Sequence, residues 1–305
     1  MGITTFYHTS VLKDEAIVAL NIRPDGIYVD GTFGGGGHSR AILERLNDKG
    51  RLIAFDQDAD AWQNAPDDKR LIPVKESFRY LRRFLKLYDA MDVDGILVDL
   101  GVSSFQFDTA ERGFSTRYDG ELDMRMDTRQ RLTAKDIIRE YDEQKLHELF
   151  GRYGEVRNAK TLAQTIVAGR KGQTVNTIAE FKALIENCIK GNPNRYLAQV
   201  FQALRIAVND ELDVLKLFLQ QAADCLKPGG RLCVITFHSL EDRIVKRFLK
   251  TGGFTDERAT DVFGKYLQEP PFRALKPVLP GDEELKRNPR SRSARLRIGE
   301  KLGMA

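Results

Sequence analysis

Cysteine is scarce in this chain: Cys188, Cys225 and Cys233 are the only three in 305 residues, far apart and in apolar surroundings. Without a C-x-x-C pair they suggest neither a zinc site nor a disulfide framework, so no metal ligand set is predicted. They read as core thiols of a reducing compartment. Long apolar runs are also missing. No stretch reaches the roughly 20 residues needed to span a bilayer. The start, Met1-Gly2-Ile3-Thr4-Thr5-Phe6, has no basic segment leading into an apolar one. It does not complete a myristoylation signal either, because Phe6 stands where Ser or Thr is needed. The expectation is a cytoplasmic protein. Charge of one sign is not in excess: 48 basic against 44 acidic residues give a net charge of +4. That balance permits a nucleic-acid partner without demanding one. The length suits a core domain carrying an insertion.

Glycine, by contrast, is concentrated. Ile27-Tyr28-Val29 reads as a short buried strand, Asp30 ends it, and five glycines follow within residues 31–37. Ser39 to Leu46 then has helical spacing. Strand, glycine turn and helix form the layout of a nucleotide-binding α/β crevice, where glycines admit positive φ and close approach of a ligand. Gly34 and Gly36 fit the first two positions of a dinucleotide fingerprint, but Ser39 occupies the third. With an acid at the strand end, S-adenosylmethionine suits the loop better than a pyrophosphate. The bland alternative is a glycine-rich surface loop, which the flanking strand and helix disfavour.

The alternation continues through Arg51–Asp56 (strand), Trp62–Ala65 (helix start), Leu71–Lys75 (strand), Phe78–Leu87 (helix) and Val93–Asp99 (strand). This predicts a parallel, doubly wound sheet. The pattern then breaks. Residues 105–126 are polar and arginine-rich, and helices with capping signals follow at Thr133-x-x-Asp136, at Asp142 and at Thr177-x-x-Glu180. An all-helical insertion over 109–204 is expected, with 1–108 and 205–305 forming the discontinuous α/β domain. Beyond it lie a helix over Ala207–Leu226, a turn at Lys227-Pro228-Gly229-Gly230, a strand over Arg231–Phe237 and a helix over Glu241–Leu249 capped by Ser239. The tail from Lys286 to Lys301 holds seven basic residues and one acid, with a closing strand over Ala294–Ile298.

Asp30, Asp56 and Asp99 each end a strand. Parallel strands end at one edge, so the three carboxylates are predicted to gather in one crevice. Asp56 lies 26 residues after Asp30, near the offset of an acid that binds a ribose diol. A lone Asp at such a place is more often a helix cap, and it is three together that favour a ligand. The loop Leu100–Asp108 offers hydroxyls, an amide and carboxylates but no cysteine, which disfavours ring-carbon methylation through a covalent thiolate adduct. Methylation of an exocyclic amine needs no covalent step. Positive charge develops on nitrogen and a carboxylate stabilises it, with Asp99 and Asp123 the candidates and Ser103 beside them. For Ser103 the alternative is simple helix capping.

The chain resembles the family of ribosomal RNA small-subunit methyltransferase H, also called MraW. The resemblance rests on His8-Thr9-Ser10-Val11-Leu12, Asp30–Gly34 with Gly36–Ser39, Asp99–Ser104, Arg112–Ser115, Leu122–Met126, Gly151–Glu155, Phe201–Arg205, Phe237–Arg243 and Asn288–Ser293. One departure is Tyr118-Asp119-Gly120-Glu121, where the family more often has a proline. The resemblance implies a Rossmann-like class I methyltransferase sheet with a helical insertion for RNA recognition. It implies transfer from S-adenosylmethionine to the N4 amine of a cytidine in 16S rRNA, presented in a small ribosomal subunit or late precursor, and it allows a homodimer. It also implies a donor site of Gly36, Gly37, His38, Asp56, Phe78, Asp99 and Gln106, of which Phe78 and Gln106 come from the family alone. Two rival readings are weaker. An NAD-linked oxidoreductase lacks the third glycine, and a non-catalytic RNA-binding assembly factor would not need three strand-end acids.

Overall fold

The computed structural model describes residues 10–256 and 269–303, so His8 and Thr9 of the resemblance lie outside the described residues. By internal packing the chain divides into two units. One runs to Gly101 and resumes at Asp213; the other is Val102–Leu212.

The first unit is built on a seven-stranded sheet. Its strands are β1 (Ile27–Asp30), β2 (Arg51–Phe55), β3 (Leu71–Val74), β4 (Val93–Asp99), β5 (Leu226–Thr236), β6 (Phe272–Ala274) and β7 (Arg295–Lys301). Their order is β3-β2-β1-β4-β5-β7-β6. Strands β1 to β5 are parallel, and β7 runs antiparallel to both β5 and β6. The central strands are buried on both faces, as their unbroken apolar runs require of a sheet covered by helices. On one face, α1 (Lys13–Leu20) and α2 (Gly37–Leu43) pack Leu20 and Ile42 against Tyr28, Leu52 and Leu97. On the other, α3 (Leu81–Leu87), α10 (Glu211–Cys225) and α11 (Ser239–Thr251) pack Leu85, Phe218 and Phe248 against Ile53, Val98 and Val234. The chain turns back between β1 and β4, so the switch point of the sheet falls there. The result is an α/β, Rossmann-like sheet with an antiparallel β7 between β5 and β6.

The second unit holds α4 (Ser104–Asp108), α5 (Ala134–Glu140), α6 (Glu143–Gly154), α7 (Ala159–Gly169), α8 (Ile178–Ile185) and α9 (Pro193–Asn209). They close over their own core of Leu146, Phe150, Leu162, Phe181, Val200 and Phe201. The division falls a few residues outside 109 and 204 because Val102, Phe107 and Val208 all pack into this helical core.

Several local expectations change. The expected single helix over Ala207–Leu226 breaks at Asp210, whose φ is 53°, giving α9 and α10. Trp62 sits in a 3₁₀ turn, Ala59–Asn64, rather than at the start of an α-helix. Asn192 caps α9 and Pro193 opens it. Lys227–Gly230 lies within β5 as an irregularity in its pairing with β4. The final helix of this stretch, α11, is capped by His238 instead of Ser239. His238 accepts from the Glu241 amide, while the Glu241 carboxylate accepts from the Phe237 and His238 amides. Among the described residues no helix is long and apolar enough to cross a membrane.

Candidate active site at the carboxyl edge of the sheet

Register fixes where the three acids stand. Asp30, the last residue of β1, pairs with Ala54 of β2 and Leu97 of β4. Asp56 directly follows β2, and Asp99 ends β4 opposite Ile235. All three lie at the carboxyl edge, with Asp30 and Asp99 on either side of the switch point.

The glycine loop is shaped for close approach. Gly36 takes φ 75° at the N-cap of α2, and a Cβ there would come within 2.7 Å of the Phe33 ring. At Gly37 a Cβ would meet Ser10 Oγ at 2.1 Å. Ser39, which replaces the third fingerprint glycine, donates to Asp30 Oδ2 at 2.7 Å in a buried bond. The Thr32 amide donates to Asp30 Oδ1. Asp30 therefore braces the loop from inside, and burial still pushes its carboxyl up to about 6 against those two bonds.

Asp56 is oriented by two amides: Gly34 N–H donates to Oδ2 at 2.7 Å and Asp58 N–H to Oδ1 at 2.8 Å. Its backbone carbonyl accepts from Trp62 Nε1, and Trp62 stacks on Phe33 with ring centroids 4.7 Å apart. Each Asp56 oxygen retains lone-pair capacity toward the edge. Burial, opposed by the two amides, pushes this carboxyl to about 6. Phe78, half-buried, lies against the loop near Gly31 and packs edge-on to Phe218 at 5.1 Å.

Asp99 differs from the other two acids. Its amide donates to Thr32 Oγ1 at 2.7 Å, which ties β4 to the loop. Its Oδ1 is buried without a partner among the described residues, and its Oδ2 lies 3.9 Å from His38 Nδ1. Burial, reinforced by the neighbouring Asp30 and Glu241, pushes its carboxyl well above the ordinary range. His38 Nε2 lies 3.1 Å from the Val11 carbonyl, which can only accept, so Nε2 carries the hydrogen and Nδ1 presents a lone pair. Burial pulls the His38 pKa down to about 4, against the pull of that carbonyl. Two acceptors thus converge beside an orphaned carboxylate oxygen, and a ligand that brings N–H donors or positive charge satisfies them. Together with Asp56, these residues fit the amino-acid and ribose ends of S-adenosylmethionine.

The remaining candidates belong to the helical unit. Ser103 is the N-cap of α4: its Oγ accepts from the Gln106 amide at 3.1 Å, and Gln106 Oε1 accepts from the Ser103 amide at 3.0 Å. This reciprocal box is the capping alternative weighed for Ser103, and it engages Gln106 as well. Asp123 binds Arg125 in a two-pronged pair, with Nε–Oδ1 2.8 Å and Nη2–Oδ2 2.7 Å. Partial burial works upward on Asp123, but the Arg125 bonds hold its carboxyl below the usual range. Arg125 in turn reaches the carbonyls of Thr128 and Gln130, so the pair folds the loop. Next to it Met124 is held at φ 64°, its carbonyl accepting from Asn209. Asp123 is therefore a structural anchor rather than a free acceptor for an amine. Thr32, Ser39 and Trp62 escape sequence reasoning. Trp62 alone carries a signal, as the single tryptophan six residues after Asp56.

Comparison with known proteins aligns the pattern of the MraW methylase family with residues 5–302. The Bacteroides fragilis (strain YCH46) protein named ribosomal RNA small subunit methyltransferase H is 52% identical over 300 residues, covering 97% of this chain and 98% of its own. The Flavobacterium johnsoniae protein of the same name is 51% identical over 304 residues, covering 99% and 100%. Among solved structures, an rRNA methylase from Streptococcus thermophilus superposes with TM-score 0.38 at 13% identity, covering 95% of this chain and 94% of its own. TrmN from Thermus thermophilus gives 0.44 at 13%, covering 95% and 48%.

Proposed function

The chain belongs to the MraW methylase family, and from that premise we propose that it methylates the exocyclic N4 amine of a cytidine in the 16S rRNA of the small ribosomal subunit. The observation that carries the reading is the carboxyl edge itself: a glycine loop, an oriented Asp56, and Asp99 with an unpartnered buried oxygen, all around one switch point.

S-adenosylmethionine supplies an electrophilic methyl group. Gly36 and Gly37 let the backbone come close to it, Asp56 accepts from its ribose hydroxyls, Phe78 flanks its base, and His38 Nδ1 with Asp99 faces its amino-acid end. Asp99 Oδ1 accepts an N–H from the target amine, and its raised proton affinity suits it to stabilise the positive charge that forms on nitrogen and to take the departing proton. No nucleophilic side chain is needed. The helical unit recognises the RNA. A cytidine must leave its stack to reach a buried site, which single-stranded segments allow at small cost. The substrate is a small subunit or a late precursor of it, in the cytoplasm.

Nucleoside mass spectrometry of small-subunit RNA from cells with and without the protein tests the reading. N4-methylcytidine is expected to disappear in its absence. Unchanged N4-methylcytidine would overturn the assignment.

A further inference from the structure

The seven cations of the tail divide into two classes. Three are engaged by the fold. Arg295 and Arg297 both bind Asp242, with Arg297 Nε–Oδ1 at 2.8 Å, and Lys301 lies over the Phe272 ring. These belong to β7 and are structural. The others precede the strand, on α12 (Asp282–Arg287) and on the 3₁₀ turn Pro289–Ser293.

The reason these cations face outward is periodic. Glu284, Asn288, Ser291 and Ala294 are buried. Their spacings are four, three and three, the repeat of an α turn running into a 3₁₀ turn. Asn288 N–H donates to the Glu284 carbonyl, Ser291 N–H and Oγ to the Asn288 carbonyl, and Ala294 N–H to the Ser291 carbonyl. This inner row pins the segment, and Lys286, Arg287, Arg290 and Arg292 are left exposed. Lys286, Arg287 and Arg292 have no ion pair among the described residues. The acids of α12, Asp282, Glu283 and Glu284, sit in its first turn, one turn before Lys286 and Arg287.

Strand direction then places the ledge. Because β7 is antiparallel, its first residue, Arg295, pairs with Thr236, the last residue of β5. Ile235 pairs in turn with Asp99. The basic turn therefore enters β7 at the carboxyl edge, two strand spacings, or about 10 Å, along the sheet from β4. Cations held outward, unpaired and beside the catalytic edge are placed to hold a polyanion whose reacting base lies at that edge.

We propose that Lys286, Arg287 and Arg292 form a phosphate-binding ledge for the single-stranded RNA that flanks the target nucleotide. This rests on the reading of the protein as an RNA methyltransferase and adds the surface that holds the strand. Arginine suits the task because its planar donors grip phosphate in two-pronged fashion.

The test is the salt dependence of binding to a labelled, cytidine-containing single-stranded RNA oligonucleotide. The triple variant Lys286→Gln, Arg287→Gln, Arg292→Gln is compared with a matched one at the opposite edge, Arg45→Gln, Lys49→Gln, Lys69→Gln. Those control residues are also exposed and precede β2 and β3. Each lost phosphate contact removes about 0.7 from the log–log slope, so the ledge variant should bind with a slope shallower by about two units. The control should keep the wild-type slope. S-adenosylhomocysteine affinity, the same in all three proteins, reports that each is folded. An unchanged slope in the ledge variant, or an equal fall in both variants, would overturn the ledge. Methyl transfer by wild type is scored separately. Wild type that binds the RNA without methylating small-subunit RNA would sink the assigned reaction and not the ledge.

Discussion

The three strand-end carboxylates show how identical side chains acquire different duties. Asp30 spends both oxygens inside the protein, on Ser39 and Thr32. Asp56 is aimed by two amides, and Asp99 keeps one oxygen unpartnered. Asp56→Ala, which removes the proposed ribose acceptor, is expected to weaken S-adenosylhomocysteine binding by about 1.5–3 kcal/mol, the range for a hydrogen bond to a charged group. Calorimetry measures it, and unchanged affinity would remove Asp56 from the donor site. The same residue sets a pH dependence. Its carboxyl, raised to about 6, is ionised above that pH and protonated below it. Affinity should therefore hold above neutrality and fall, toward tenfold per pH unit, as pH drops through about 6. Asp56→Asn should flatten that profile. Turnover separates Asp99 from Asp123. Asp99→Asn should lose most of the rate at a near-wild-type melting temperature. Asp123→Asn breaks the Arg125 pair and should lower the melting temperature while the folded fraction stays active. Full activity of Asp99→Asn would refute the electrostatic role.

At the level of elements, the pairing of α11 with β7 through Asp242 locks the last strand in place. Burial works upward on the Asp242 carboxyl, but Arg297 and Arg295 hold it below its ordinary value. Its contribution is therefore present above the unfolded value, near 4, and is lost as pH falls through the lower folded value. Asp242→Asn is expected to cost about 1.5–3 kcal/mol near neutrality, with the gap to wild type closing in acid. Equal stabilities at pH 7 in denaturant titrations would contradict this. Elements with strong periodicity were legible from residues alone. Val93–Asp99 is apolar and ends in an acid, and it forms the expected strand. Thr133 and Thr177 cap their helices as their spacing to Asp136 and Glu180 requires. The His238 cap was not legible, because Ser239 is the better capping residue by type and only the buried Glu241 carboxylate below selects its neighbour. The break at Asp210 was hidden for a similar reason: apolar spacing continues through it, and its left-handed backbone leaves no mark in the pattern. Long-range partners were the least legible. Nothing local tells that Thr32 receives the Asp99 amide, 67 residues on.

The molecule as a whole combines a sheet unit and a helical unit, each with its own core. Replacing Thr133–Lys190 with a short Gly-Ser linker should leave a protein that binds S-adenosylhomocysteine with near-wild-type affinity and no longer methylates small-subunit RNA. Methylation by the folded, shortened protein would refute RNA recognition by the helical unit. The place of that unit in the chain also has a consequence in time. β4 pairs with β1 on one side and with β5 on the other, and β5 lies beyond the whole of Val102–Leu212. During synthesis at about 5–20 residues per second, roughly 125 residues must be made between the two strands, so β4 waits on the order of ten seconds for its second neighbour. Through that interval a buried-type, apolar strand presents an open edge, the kind of edge that recruits other chains. The growing chain is therefore most exposed to misassembly while the helical unit is still emerging. A helical unit with its own core can fold first, and the sheet is completed only when β5 arrives.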